Sequence, residues 1–479
     1  MASLRLIAMQ RLSGLDASFL YLETSAQVLH VCGLATLDGS TVPGGYSFRA
    51  FEERLRDRVA LIPAFRRKLH NSAWNLTHPV WVEDDEFDLD HHLHRIAVPG
   101  PGDSHELAAL CAHLAGRPLD RNRPLWEMYV IEDVRTGGDD TVAIFIKMHH
   151  ASVDGVGGAN LIAYLAGVEP DAPPPDPGEG ARHNPAEPDR FALLRTSVTS
   201  LVKRPAQAVK LLPELAAMAP RWIGRALRGK GMPVPFTAPR TLLNGTITGH
   251  RSVAYAQLDL AEVKDLKNAF GVTVNDIVLA IVAGALRRFL DDRDDLPGDP
   301  LVATVPVSVH ERSEREHGSN KVSAFFASLP THLADPAARV FALAENNRLS
   351  KDHHHSIDAD MLQDWAQFAG PAVFGLAIRA YSALRLAERH PPAHNLVVSN
   401  VPGPPMPLYL LGARITGLYP LGPVFHGAGL NITVLSNAGK VDFGLLGARE
   451  LVPDLWPLAD AIGAALKELK AAAPGGDPG

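Results

Sequence analysis

TVAIFIKMHHASVDGVGG, Thr141 to Gly158, runs an apolar segment into two adjacent histidines and then into a glycine-rich exit. The short run of β-branched and aromatic residues reads as a strand. In an extended chain successive side chains alternate between faces. Val142, Ile144, Ile146, Met148 and His150 then share one face, and Phe145, Lys147 and His149 the other. The two histidines therefore cannot enter one pocket together. An imidazole at the edge of an apolar wall titrates at or below its ordinary value of ~6.5 and is neutral at pH 7. That is the state a general base requires, and His150 fits it. Asp154 follows, placed to accept backbone N–H groups or pair with an arginine and so fix the loop, with direct proton transfer as the alternative. Gly155, Gly157 and Gly158 permit a tight exit and close backbone approach. GANLIAYLAGV, 158–168, then reads as a helix.

Other readings of the same residues are weaker. A metal site on His149, His150 and Asp154 is disfavoured by the opposed strand faces and the lack of a nearby third strong ligand. GVGG lacks the Gly-Lys-Ser/Thr ending of a phosphate loop, and no Gly-x-Ser-x-Gly elbow occurs. His353, His354 and His355 read as a polar loop, not a ligand set. Cys32 and Cys111 are the only cysteines, which excludes a disulfide framework and Cys-rich metal sites. Lys and Arg number 46 against 53 Asp and Glu, a formal net charge of −7, which argues against a globally basic nucleic-acid binder. The longest apolar runs, Ile277 to Leu286 and Phe368 to Ile378, end at arginines and fall short of the ~18 to 20 residues of a spanning helix. The N-terminus lacks a signal-peptide pattern, and Met9 is an alternative start.

Three zones are expected along the chain. The first, 12–168, is a dense mixture in which WEMYVIE and TVAIFIKM form a hairpin across Val134 to Asp140. In it, Arg49 to Leu69 has helical spacing with arginines on the outer face. The second zone, 169–248, opens with seven prolines between Glu169 and Asp189, an exposed linker. Arg190 to Lys230 follows with nine Lys/Arg against one Glu, a local charge of +8. This is either a crossover with a solvated basic face or an amphipathic segment for anionic lipid or substrate. The third zone, 249–473, has strands at SVAYAQLDL, VATVPVSV, NLVVSN, GLNITVLS and KVDFGLLG and a strongly apolar helix at VTVNDIVLAIVAGALRRFL. Residues 474–479 read as a disordered tail.

HHASVDG has the form HHxxxDG and resembles the catalytic motif of the CoA-dependent acyltransferase superfamily. LSGLDASFLYLET (Leu12 to Thr24), RPLDRNRPLWEMYVIE (Arg117 to Glu132), TVNDIVLAIVAGALR, PVSVHER with GSNKVSAFF, NLVVSNVPGP and GLNITVLSNAGKVDFGL resemble successive blocks of the bacterial wax ester synthase/diacylglycerol acyltransferase family. The resemblance runs from Leu12 to about Leu469. His310 stands where an arginine is common, and the Pro-rich linker is individual to this chain; neither touches HHxxxDG, and both leave substrate preference open.

The resemblance implies an α/β fold of two chloramphenicol-acetyltransferase-like halves with mixed sheets, joined by the crossover, and a tunnel between them meeting at the HHxxxDG histidine. It implies acyl transfer from acyl-CoA to a hydroxyl of diacylglycerol or a fatty alcohol. No cofactor and no metal are required, acyl-CoA being substrate. His150 would be the base, with His149 and Asp154 beside it. Asn275 would reach the centre from the second half, or else be a helix N-cap. Asn400 and Pro402, in SNVPGP, would join Gly155 and Gly157 along the substrate path. Asp276 and Trp126 read as structural. A condensation-type enzyme with a carrier-bound donor and a catalytically silent lipid-binding protein are the competing classes. A cytoplasmic protein is expected, in peripheral contact with anionic membrane or lipid droplets.

Overall fold

The alternation in Thr141–His149 does form a strand, and its two faces enter two different cores. The computed structural model describes residues 12, 14–70, 78–136, 138, 140–152, 165–171, 236–308, 322–354 and 379–474. In chain order these contain α1 (Gly14–Leu22), β1 (His30–Asp38), α2 (Phe48–Leu61), β2 (Arg67–His70), β3 (Val80–Glu83), β4 (Leu93–Ala97), α3 (Ser104–Ala115), β5 (Trp126–Glu132), β6 (Thr141–His149) and β7 (Ala166–Gly167). There follow β8 (Arg251–Asp259), α4 (Leu260–Phe270), α5 (Val274–Asp291), β9 (Leu301–Ser308), β10 (Val322–Leu329), α6 (Pro336–His354), β11 (Leu396–Val401), β12 (Tyr409–Leu410), β13 (Ala413–Leu421), β14 (Leu430–Asn437), β15 (Lys440–Ala448) and α7 (Trp456–Ala471).

Two mixed sheets organise these elements. The first has the order β4-β5-β6-β1-β13-β12-β7 and the second β10-β9-β11-β14-β15-β8. β5 and β6 form the expected antiparallel hairpin, with Trp126 opposite Met148. Ile144, Ile146 and Met148 pack with Phe51, Leu55 and Val59 of α2 on one face. Ala143 and Phe145 face α3 on the other, in a core that also takes Val253, Leu446 and Ala448 from the second sheet. Cys32 and Cys111 lie free and buried in that core. Burial pushes the Cys32 thiol up to about 12, so it is no thiolate nucleophile.

The apolar run from Ile277 lies inside α5, where every residue from Asp276 to Leu286 is buried. It is the core helix against the second sheet. Among the described residues no single helix is long and apolar enough to cross a membrane.

Several sequence expectations require correction. The helix expected over Arg49 to Leu69 ends at Leu61. Proline disfavours helical geometry in the residue before it, and Pro63 opens a single 3-10 turn that feeds β2. Arg58 is buried, not on an outer basic face. Ala166 and Gly167, at the end of the expected helix over 158–168, pair with Leu410 and Tyr409 as a strand. His353 and His354 belong to the last turn of α6, not to a loop; His355 lies outside the described residues. The segment Ala413–Leu421 was not foreseen as a strand. It pairs along β1, Cys32 opposite Leu421, so a late stretch of chain occupies the middle of the first sheet. The linker and basic segment between 172 and 235, the run from Phe368, and 475–479 lie outside the described residues.

β13 also fastens the first sheet to the second. Asp442 on β15 accepts from Leu418 N (2.8 Å) and from Gln257 Nε2 (2.7 Å), and the same Gln257 amide donates to Thr416 O (3.1 Å). A side chain at Gly444 would run into the carbonyl of Pro420, so the two strands can approach this closely only with glycine there. Burial raises the Asp442 carboxyl from 3.8 to about 6, against the hydrogen bonds that favour its charged form. Between those values the unfolded chain has released a proton that the folded chain retains, so this group's contribution falls as pH rises through that window. The stability difference between wild type and Asp442→Asn is therefore expected to shrink by about 2 kcal/mol between pH 4.5 and 7. Urea unfolding at both pH values measures it, and a difference that stays constant or grows refutes the assignment.

Candidate active site

The site is assembled where β1 begins and β6 ends. His30 lies directly opposite His149 in the ladder, and His150 N donates to Leu29 O (2.9 Å) to carry the pairing one residue further. The chain then leaves the strand in a 3-10 turn, His150–Ser152. α1 packs over this turn, with Ala17 and Leu20 in one cluster with Ala151.

The two histidines diverge, as the alternation requires. His149 is buried on the face of Lys147. Lys147, fully buried, pairs with Glu127 (2.8 Å) and donates to the carbonyl of Arg117 (3.1 Å). His149 Nδ1 accepts from Ala151 N (3.1 Å), and its Nε2 lies 3.5 Å from Glu23 Oε2. His150 turns the other way and stacks on Phe19, ring centroids 3.9 Å apart and planes 22° from parallel. The residue is partly exposed, while its Nδ1 is shielded and has no hydrogen-bond partner among the described residues. Burial, with the neighbouring His149 adding to it, lowers the His150 imidazole to about 4. It is neutral at pH 7 and able to accept a proton.

Asp154, Gly155 and Gly157 lie outside the described residues. The others are placed. Asn275 is not the N-cap of α5. That position is Thr273, whose hydroxyl accepts from Asp276 N (3.2 Å) while the Asp276 carboxylate accepts from Thr273 N (3.0 Å), a reciprocal box. Asp276 also accepts from Asn347 Nδ2 (2.7 Å) and is buried, a structural residue. Asn275, in the first turn, instead accepts from Asn400 Nδ2 (3.1 Å). Two candidates far apart in sequence are thus joined, and no hydrogen bond among the described residues links this pair to His150. Pro402 is exposed beyond β11, followed by Gly403, whose N donates to Ser436 Oγ (3.0 Å). Trp126 is core: fully buried, donating to Phe65 O (2.8 Å) and stacked on His92.

A cleft of about 520 Å³ between α3 and the segments flanking β8 and α7, lined in part by His105, Arg251 and Trp456, contains none of these candidates. Among the described residues no three His, Cys, Asp or Glu side chains are grouped to hold a metal ion.

The residues missed in the sequence are Glu23, His30 and Arg121. Glu23 lies just past α1, and its Oε1 is 3.4 Å from His30 Nε2. Arg121 Nε donates to Glu23 Oε2 (3.1 Å). Burial would raise the Glu23 carboxyl, but the two imidazoles that face it at 3.4 and 3.5 Å and the charge of Arg121 hold it well below the ordinary carboxylate range. Burial lowers His30 to about 4. The acid at the end of LSGLDASFLYLET was in plain view; nothing local announced that it would meet a histidine more than a hundred residues later.

The chain matches the family model for the wax ester synthase/diacylglycerol acyltransferase catalytic domain over residues 12–278 and that for the WS/DGAT C-terminal domain over 318–470. A Mycobacterium tuberculosis protein bearing the provisional name diacylglycerol O-acyltransferase is 47% identical over 464 residues, 96% of this chain and 90% of that one. The solved wax ester synthase/diacylglycerol acyltransferase from Marinobacter aquaeolei VT8 is 30% identical and superposes with a TM-score of 0.68, covering 96% of this chain and 99% of that one. The first condensation domain of the calcium-dependent antibiotic synthetase superposes at 0.53 with 15% identity, covering 98% of each chain, a likeness of fold alone. The chain is an acyltransferase and belongs to the wax ester synthase/diacylglycerol acyltransferase family.

Proposed function

We propose that the protein moves a long-chain acyl group from acyl-CoA to the hydroxyl of diacylglycerol, forming triacylglycerol, and to fatty alcohols, forming wax esters, with His150 as general base. The acceptor classes follow the names of the relatives. The single observation that carries the base is the neutral, partly exposed His150 imidazole held against Phe19 at the end of β6.

An alcohol is a poor nucleophile until its proton is taken. His150 accepts that proton as the oxygen attacks the thioester carbonyl. A tetrahedral intermediate forms, with negative charge on the former carbonyl oxygen. That oxyanion needs donors, and Asn275 is the candidate: its Oδ1 is engaged by Asn400, which leaves its own amide hydrogens to donate. The intermediate collapses by breaking the carbon–sulfur bond. The CoA thiolate leaves with the electron pair, and the His150 imidazolium returns the proton to it. The ester remains. Asp154 is assigned to fixing the loop behind His150, and Gly155, Gly157 and Pro402 to the walls of the substrate path.

The protein is further proposed to work at the cytoplasmic face of an anionic membrane or on lipid droplets, where both acceptors reside. The support is the segment Arg190 to Lys230, locally +8 in a chain of net charge −7.

Purified protein given radiolabelled palmitoyl-CoA with dioleoylglycerol or hexadecanol is expected to form triacylglycerol or wax ester. His150→Ala should lose about 10²- to 10⁴-fold in kcat. The acidic limb of wild-type kcat/KM is expected near pH 4, well below the ~6.5 of a free imidazole. Unchanged activity in His150→Ala ends the assignment of the base. No product with either acceptor, but product from a carrier-bound acyl donor, replaces the reading with the condensation-type one. For the membrane, flotation with anionic liposomes should carry the protein and weaken as salt rises. Equal binding to neutral vesicles, or none, rejects the basic segment as the contact.

A further inference from the structure

Glu23 is a carboxylate with almost no exposed side-chain surface, and four groups converge on it from three separate parts of the chain. Arg121 donates from Nε to Oε2 (3.1 Å), and its Nη2 reaches the same oxygen and Leu20 O (3.0 Å). Leu29 N points at Oε1 from 3.4 Å. His30 Nε2 lies 3.4 Å from Oε1 and His149 Nε2 3.5 Å from Oε2. Arg121 supplies the compensating charge that makes a buried carboxylate tolerable.

The consequence falls on His149. A neutral imidazole carries one proton and offers one acceptor. Its Nδ1 accepts from Ala151 N (3.1 Å), so its proton sits on Nε2, on the side of Glu23. Ala151 follows His150, and His150 N is itself bound to Leu29 O (2.9 Å). The turn that carries His150 is thus gripped on both sides by groups that Glu23 contacts: through His149 at Ala151 N, and through Leu29 at His150 N.

We infer that Glu23 is a positioning residue for acyl transfer. It selects the Nε2–H form of His149, presents Nδ1 to the backbone of the next turn, and so fixes the His150 ring against Phe19. This rests on His150 being the base. Glutamine is nearly isosteric but offers one acceptor oxygen where the carboxylate offers two. In Glu23→Gln the amide must turn a donor toward Arg121, His30 or His149. If it faces His149, the imidazole accepts at Nε2, its proton moves to Nδ1, and it opposes Ala151 N–H.

The test combines kinetics with histidine ¹⁵N–¹H correlation spectra of selectively labelled full-length protein. Wild-type His149, assigned by its loss in His149→Gln, is expected to carry its proton on Nε2. Glu23→Gln should shift that proton at least in part to Nδ1 and lower kcat about 10- to 100-fold, with KM for palmitoyl-CoA within threefold. Glu23→Asp, which keeps both oxygens, should recover part of kcat. A proton on Nδ1 of wild-type His149, or full kcat in Glu23→Gln, overturns the inference. If Glu23→Gln does not fold, the wild-type spectrum alone decides. Activity surviving in His150→Ala removes the base assignment instead, while the His149 spectrum still reports on Glu23.

Discussion

Everything distinctive in this molecule depends on strand β1 being hydrogen-bonded along both edges. One edge holds β6 in register, which sets His30 against His149 and brings Leu29 O to His150 N. The other holds β13, which arrives from late in the chain and is tied through Asp442 and Gln257 to the second sheet. A one-residue slip of either pairing would turn every side chain of the displaced strand to the opposite face. The apolar faces on α2 and α3 forbid that slip, so the same packing that buries the core also sets the position of the histidines.

The end of β6 departs from what stability alone would select. Lys147, His149 and His30 are buried polar groups in the middle of a sheet, and each costs free energy unless its polar atoms are answered. Lys147 is answered by Glu127 and backbone carbonyls and His149 Nδ1 by Ala151 N, whereas His149 Nε2 and the ring nitrogens of His30 have no hydrogen-bond partner among the described residues and only the nearby Glu23 carboxylate to face. An apolar strand end would be simpler to fold. Local sacrifice of that kind, concentrated at one strand end, is what a working site looks like.

Much of this was legible in the residues. The alternation of Thr141 to His150 correctly separated the two histidines, because a strand's period of two is a local property. The apolar run of α5 and the hairpin of β5 and β6 were legible for the same reason. What escaped depends on distance in sequence. ARITGLYPL has a glycine and a proline that blur its pattern, and only its position between β1 and the second sheet makes it a strand. Asn275 could be read either as a group reaching the centre or as a cap, because asparagine before an apolar run is a common start; the box between Thr273 and Asp276 took the cap position and left Asn275 to meet Asn400. Glu23, His30 and Arg121 have no local signature at all. Their meeting is produced by the fold.

The late insertion of β13 also sets an order of assembly. Thr36 finds its hydroxyl partner on Thr416, 380 residues further along. While the polypeptide is being made, the first half can pair β5 with β6 and β6 with β1, but the far edge of β1 stays open until nearly the whole chain has left the ribosome. An open central strand of mostly apolar residues is a template for the wrong neighbour. Both sheets thus wait for the last strands of the chain, and a nascent chain halted before Ala413 would carry its histidines on a sheet with an unsealed edge.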